Sequence, residues 1–257
     1  MPKKRIIFTL LYAEENFLIS RNFQIQKIGN IDWLKKNYNF KEIANAIDEL
    51  VVINIGKKDN LSFNIFCSTL KEITKGIFVP VSAGGGINSL DKAKQILRSG
   101  ADKIILNSLP LSKDKKLKEF VKVFGSQCVV ASIDLIKKDK SNYKIWDNNK
   151  KKLTNMKIKD YLKYLLNYKI GEIYLTSVDK DGTGQGYDFE MLKFFQNLSV
   201  PIIISGGAGN WKHLYEGLQH KDIDAVSTAN LLNFVDKGLL ISRKNILKEK
   251  FDLPIWQ

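Results

Sequence analysis

Short apolar runs rich in Ile, Val and Leu recur along the chain. They alternate with stretches whose apolar residues fall three and four positions apart. The short runs predict buried strands over 5–11, 50–55, 78–83, 102–107, 128–134, 172–178, 201–205 and 223–228. The stretches between them predict amphipathic helices. SLDKAKQILRSG has Ser89 in the N-cap place and Gly100 just past the end, and SKDKKLKEFVKVFG repeats that arrangement from Ser112 to Gly125. Strands alternating with helices in this way predict an α/β fold, a parallel (β/α)8 TIM barrel.

The pattern also repeats itself. VPVSAGGGIN from 79 returns as VPIIISGGAGN from 200, and ADKIILNS from 101 as IDAVSTAN from 223. DELVVINI from 48 lines up with GEIYLTSV from 171, and RIIFTLL from 5 with CVVASID from 128. Four matches in the same order, all about 122 residues apart, predict two similar half-barrels, about 1–122 and 123–257. The period is far too long for a solenoid.

Composition narrows the picture. A chain of 257 residues with 44% hydrophobic content can bury one sizeable core, so a single domain over 1–257 is expected. No apolar run approaches the roughly 20 residues of a membrane helix. The start is basic and then apolar, but the run is short, ends in Glu14 and Glu15 and lacks a small-residue cleavage site, so it reads as a strand. Cys67 and Cys128 are too few for a disulfide framework, and a cytoplasmic location is expected. His213 and His220 fit no zinc spacing, so no metal is expected and both histidines are expected on the surface. The net charge of +14 favours anionic partners. Its lysines spread over solvated helix faces such as KDYLKYLLNYK, and no basic run is interleaved with aromatics, so neither a nucleic acid nor a membrane is an expected partner.

Barrel chemistry sits at the C-terminal ends of the strands. There the chain places Gly84, Gly85 and Gly86 on one side and Gly206, Gly207 and Gly209 on the other, each cluster between a strand and a helix. Glycine lets backbone N–H groups approach an anion, and the helix start adds its dipole. Two such loops related by the repeat predict a ligand with a phosphate at each end. Between them the fifth strand ends in Asp134, a general acid–base candidate, since a carboxylate at a buried strand end needs a partner or a task. SVDKDGTGQGYD brings Asp179 and Asp181 over the mouth, and Asp-Gly is also simple turn chemistry. The repeat partner of Asp134 is Leu11, which cannot transfer a proton.

RIIF, ELVVINI, SAGGGI, ADKIILNS, VVASID, TSVDKDGTGQGYD and ISGGAG, in that order, resemble the HisF family, the cyclase subunit of imidazole glycerol phosphate synthase. The resemblance spans nearly the whole chain. It implies a (β/α)8 barrel with half-barrel symmetry, a substrate bearing two phosphates, no cofactor, and a HisH-like glutaminase whose ammonia crosses the barrel. It implies catalytic roles for Asp134 and Asp181, and phosphate binding by the two glycine loops and Asn107. It implies an ammonia gate of Arg5, Glu49, Lys103 and Glu172, which could equally be a structural plug, and a glutaminase-facing Asp102. Three family positions depart: the strand-1 aspartate is Leu11, a loop lysine is Ile19, with Arg21 close by, and the strand-2 aspartate is Asn54. Such departures resemble the HisF-like paralogues of surface-polysaccharide pathways. These imply impaired cyclase chemistry and a third enzyme, an amidotransferase turning an acetamido sugar into an acetamidino one. The alternative is an active histidine-pathway cyclase that routes protons through Asp134, Asp181 and Glu14 or Glu15.

Overall fold

A computed structural model describes residues 3–38, 43, 45–57, 59–112, 115–139, 142–230, 232–234 and 236–254. The strands are β1 (Arg5–Ala13), β2 (Asn16–Arg21), β3 (Gln24–Gly29), β4 (Glu49–Asn54), β5 (Val81–Gly84), β6 (Lys103–Leu106), β7 (Val129–Asp139), β8 (Asn142–Asp147), β9 (Lys152–Leu153), β10 (Glu172–Ser177), β11 (Ile202–Ser205) and β12 (Ala225–Thr228). The helices are α1 (Ile31–Asn37), α2 (Asn60–Thr74), α3 (Leu90–Arg98), α4 (Ser108–Leu111), α5 (Lys116–Phe124), α6 (Ile158–Asn167), α7 (Trp211–Gln219) and α8 (Gly238–Lys248). Eight strands pair in parallel in the order β1-β4-β5-β6-β7-β10-β11-β12, and β12 pairs back to β1. This closed ring is the (β/α)8 barrel.

Alternation along each strand separates two apolar layers. On β1, Ile6, Phe8, Leu10 and Tyr12 enter the outer core beneath the helices. Ile7 enters the lumen with Val51, Ile105, Val130, Tyr174, Ile203 and Ala225. The helices start where side chains can cap them: Ser89 Oγ accepts from Lys92 N at 3.3 Å, and Asp59 Oδ1 accepts from Ser62 N at 2.8 Å.

Three expectations shift. The third barrel strand begins at Val81, not 78, because Pro80 offers no ladder donor and Phe78 lies 87% exposed on the loop before it. Ser112 does not start a helix: it closes the four-residue α4, its hydroxyl donating to Leu109 O at 2.7 Å. The next helix begins at Lys116, and 113 and 114 lie outside the described residues. Finally, β1 and β7 each run on into an antiparallel flap, β2–β3 and β8–β9 respectively, which the strand pattern did not separate from loop. Among the described residues no helix is long and apolar enough to cross a membrane.

Candidate functional site

The mouth is built around Asp134, which β7 turns inward and buries to 5% exposure. Asn107 Nδ2 donates to it at 2.9 Å, Asn148 Nδ2 donates to it from the turn after β8, and the Thr176 hydroxyl adds a third bond from β10. Burial pushes its pKa up to about 6; the three donors pull the other way, and the charge of Asp181 adds slightly to the rise. Asp134 is therefore poised to exchange a proton near neutral pH.

Asp181 is engaged differently. Its carboxylate accepts from Ser20 Oγ and from Phe23 N at 3.2 Å, and its carbonyl accepts from Asn22 N at 2.9 Å. All three donors belong to the β2–β3 flap, so Asp181 latches that flap over the mouth. Burial raises its pKa as well. Ser20→Ala removes one donor from a buried carboxylate, and a loss of about 1–2 kcal/mol is expected. Amide exchange at Asn22 and Phe23 should rise with little change at β1. Asp179 is a structural tie: its Oδ2 accepts from Lys137 N at 2.7 Å.

The glycine loops approach other backbone closely. A Cβ on Gly85 (φ +101°) would sit 1.9 Å from Asn54 O, and one on Gly207 (φ +109°) 2.0 Å from Gly186 O. Gly84 closes β5, and Gly86 follows in the left-handed region at φ +70°. Gly206 and Gly207 line a narrow cleft with Ser20, Asp181, Ser205 and Ser227. Gly209 stands apart, because its N–H is donated to His213 Nδ1 at 3.2 Å. This corrects the surface placement of both histidines. His213 is half-buried against that loop, and His220 is half-buried, stacked on Phe189 with ring centroids 5.3 Å apart.

The three departing positions separate in space. Leu11 stays on the lumen side, facing Leu18 of the flap and Ile53 of β4. Ile19 packs against the outer core, away from the mouth. Asn54 Oδ1 accepts from Gly56 N at 3.0 Å and shapes the turn after β4.

At the opposite end, Arg5, Glu49, Lys103 and Glu172 form an alternating ring. Arg5 bonds Glu49 at 2.6 Å and also Glu172; Lys103 reaches Glu49 at 2.9 Å and Glu172 at 3.1 Å. Ser82 Oγ donates to the free side of Glu49. Burial works against the Arg5 charge, but Glu172 and Glu49 outweigh it and raise its pKa. Asp102 lies exposed beside the ring, with Oδ2 accepting from Val81 N at 2.8 Å. Asp48 and Asp224 do the same for Ile6 N and Ile202 N, so one aspartate device ties three strand starts.

The family model for histidine biosynthesis proteins matches residues 32–236. A protein of Parasynechococcus marenigrum with the provisional name imidazole glycerol phosphate synthase subunit hisF2 is 44% identical over 245 residues, 95% of this chain and 90% of the relative. Imidazole glycerol phosphate synthase subunit HisF of Staphylococcus epidermidis is 35% identical over 91% of this chain and 92% of its own, and that of Clostridium botulinum 33% identical over 99% and 100%. This chain belongs to the HisF family.

Within this HisF barrel, sequence reasoning missed Asn148, Ser20 and the hydroxyl of Tyr174. Asn148 and Ser20 sit on flaps that no motif marked. Tyr174 lies inside the apolar run EIYLTS, where a single polar atom leaves no mark on the pattern. Among the described residues no group of three or more His, Cys, Asp or Glu is placed to hold a metal ion.

Proposed function

We propose that the chain is the barrel subunit of a glutamine-dependent complex: it pairs with a HisH-like glutaminase at the ring end and conducts ammonia to the opposite mouth. The observation that carries this reading is the contrast between the two ends. The alternating ring is complete, with each carboxylate bonded to both cations. The mouth keeps Asp134 and Asp181 but has Leu11 where its repeat partner has a carboxylate. A missing acid–base group costs about 10²–10⁴-fold in rate, so cyclase chemistry is impaired. The loops at 84–86 and 206–207 remain the places for the two ends of a bis-phosphorylated ligand; Asn107 and Gly209 would have to release Asp134 and His213 to join them. Ammonia then serves a third enzyme, an amidotransferase making amidino sugars for surface polysaccharide, in the cytoplasm.

The test is to mix the purified chain with the bis-phosphorylated substrate of imidazole glycerol phosphate synthase and excess ammonium salt, beside Leu11→Asp. No imidazole glycerol phosphate is expected from the unaltered chain. Turnover, or rescue of a strain lacking the histidine-pathway cyclase, would instead establish an active cyclase with rerouted proton transfer. Gel filtration with a HisH-type glutaminase should give a one-to-one complex, and its absence would remove the partner.

A further inference from the structure

Halfway along the lumen four hydroxyls meet. Tyr174 Oη lies 2.9 Å from Thr9 Oγ1 and 2.8 Å from Ser227 Oγ, and donates to Ser205 Oγ at 3.1 Å; Thr9 and Ser227 are 2.8 Å apart. All four residues are buried. Their strands are β10, β1, β12 and β11. Around the closed ring β1 is three places from β10, so the phenol reaches across the lumen rather than along its wall. Below it lies the apolar layer of Ile7, Val51, Ile105, Val130, Ile203 and Ala225, and below that the charged ring. Above it, Ser205 and Ser227 open onto the cleft that holds Asp181 and Gly206.

The cluster is short of hydrogens. The Tyr174 proton goes to Ser205, which leaves the Thr9, Ser227 and Tyr174 oxygens with three close contacts and two hydrogens to fill them. Once the phenol leaves, Thr9, Ser205 and Ser227 keep one O–H and two lone pairs each, with a single contact among them, so the site can both accept and donate. It suits a neutral, water-sized molecule that brings several N–H donors and one lone pair. A cation of the same size would first have to shed its water in the apolar layer beneath, which is strongly unfavourable.

We propose that Tyr174 is an internal door of the lumen, and that Thr9, Ser205 and Ser227 form a binding station for ammonia when the phenol swings aside. This rests on the ammonia-conduit reading above and adds where the conduit is closed. With the door shut, the charged ring and the mouth are separate compartments. A molecule entering from the ring is passed on only when Tyr174 leaves its three partners.

The probe is free ammonia, and the reporter is the Cζ carbon of Tyr174 in chain labelled with [13Cζ]tyrosine. Its resonance is assigned as the one missing from Tyr174→Phe. Ammonium chloride is titrated at pH 9.5 and at pH 6.5, with sodium chloride holding ionic strength constant. The expected result is a saturable shift at pH 9.5 that follows free ammonia and is absent at pH 6.5. Ser227→Ala should weaken the response several-fold while the other tyrosine resonances stay in place. A Tyr174 resonance unmoved by ammonia, or moved equally by ammonium at pH 6.5, overturns the station. That result is separable from failure of the conduit reading, which shows as no complex with the glutaminase whatever the tyrosine does.

Discussion

Arg243→Met is expected to destabilise the barrel by about 3–5 kcal/mol, the largest loss from any single change considered. Arg243 lies on α8, the last helix, at 4% exposure. Its two terminal nitrogens grip Asp48 bidentately at 3.0 and 2.9 Å, and the group also donates to Ala46 O at 3.4 Å and to Pro254 O. Asp48 in turn accepts from Ile6 N at 2.8 Å. One ion pair thus joins the final helix, the entry to β4 and the start of β1. Removing the guanidinium leaves a carboxylate buried in the outer core without its bidentate cation, and that uncompensated charge carries most of the cost. The urea midpoint at pH 7.5 measures it. Arg243→Met combined with Asp48→Asn should recover roughly half the loss, because the amide is neutral and still accepts from Ile6. A single variant within about 1 kcal/mol of the unaltered chain would show that the pair does not anchor the helix.

Much of the barrel is legible in the sequence because its signals are physical and local. The lumen and outer layers follow from alternation in strands such as RIIFTLLY, and the half-barrel repeat from paired glycine loops. Asp134 stands out because a carboxylate at the end of an apolar run has few bland explanations. Less is legible where chemistry depends on a partner far along the chain. The latch between Asp181 and the β2–β3 flap joins residues more than a hundred positions apart, and nothing in NFLISR announces it. Ile19 stands where the family resemblance expects a loop lysine, but alternation in β2 sends its side chain outward against the outer core. The polar network around Tyr174 is invisible for a similar reason. Its members, Thr9, Tyr174, Ser205 and Ser227, are each a single hydroxyl in an apolar strand, and only closure of the ring brings them together.

Asp134→Asn is expected to make the protein more stable at pH 7.5, by about 2 kcal/mol. The sign follows from the direction of the shift. The folded-state pKa is raised from the ordinary 3.8 to about 6, so the fold prefers the protonated acid. The favourable contribution of that acid is complete below pH 3.8 and is lost as pH rises through about 6. A shift of this size corresponds to about 3 kcal/mol at neutral pH, from which the asparagine loses some by facing the donating amides of Asn107 and Asn148. The stability gap between variant and unaltered chain, read from urea unfolding at intervals between pH 4.5 and 8, should therefore widen as pH rises and level off above about 7. A gap that is flat across this range would mean that Asp134 is not held above its ordinary range, and with it would go the argument for a poised acid at the mouth. If the gap does widen, the fold is carrying a buried carboxylate at a standing loss of stability. A residue kept for packing alone would be better as asparagine, whereas a group that must exchange protons near neutral pH needs this raised value. Leu11, its counterpart in the other half-barrel, carries no such cost and can transfer no proton, so on the proposed reading any proton transfer at this mouth would rest with the half that holds Asp134.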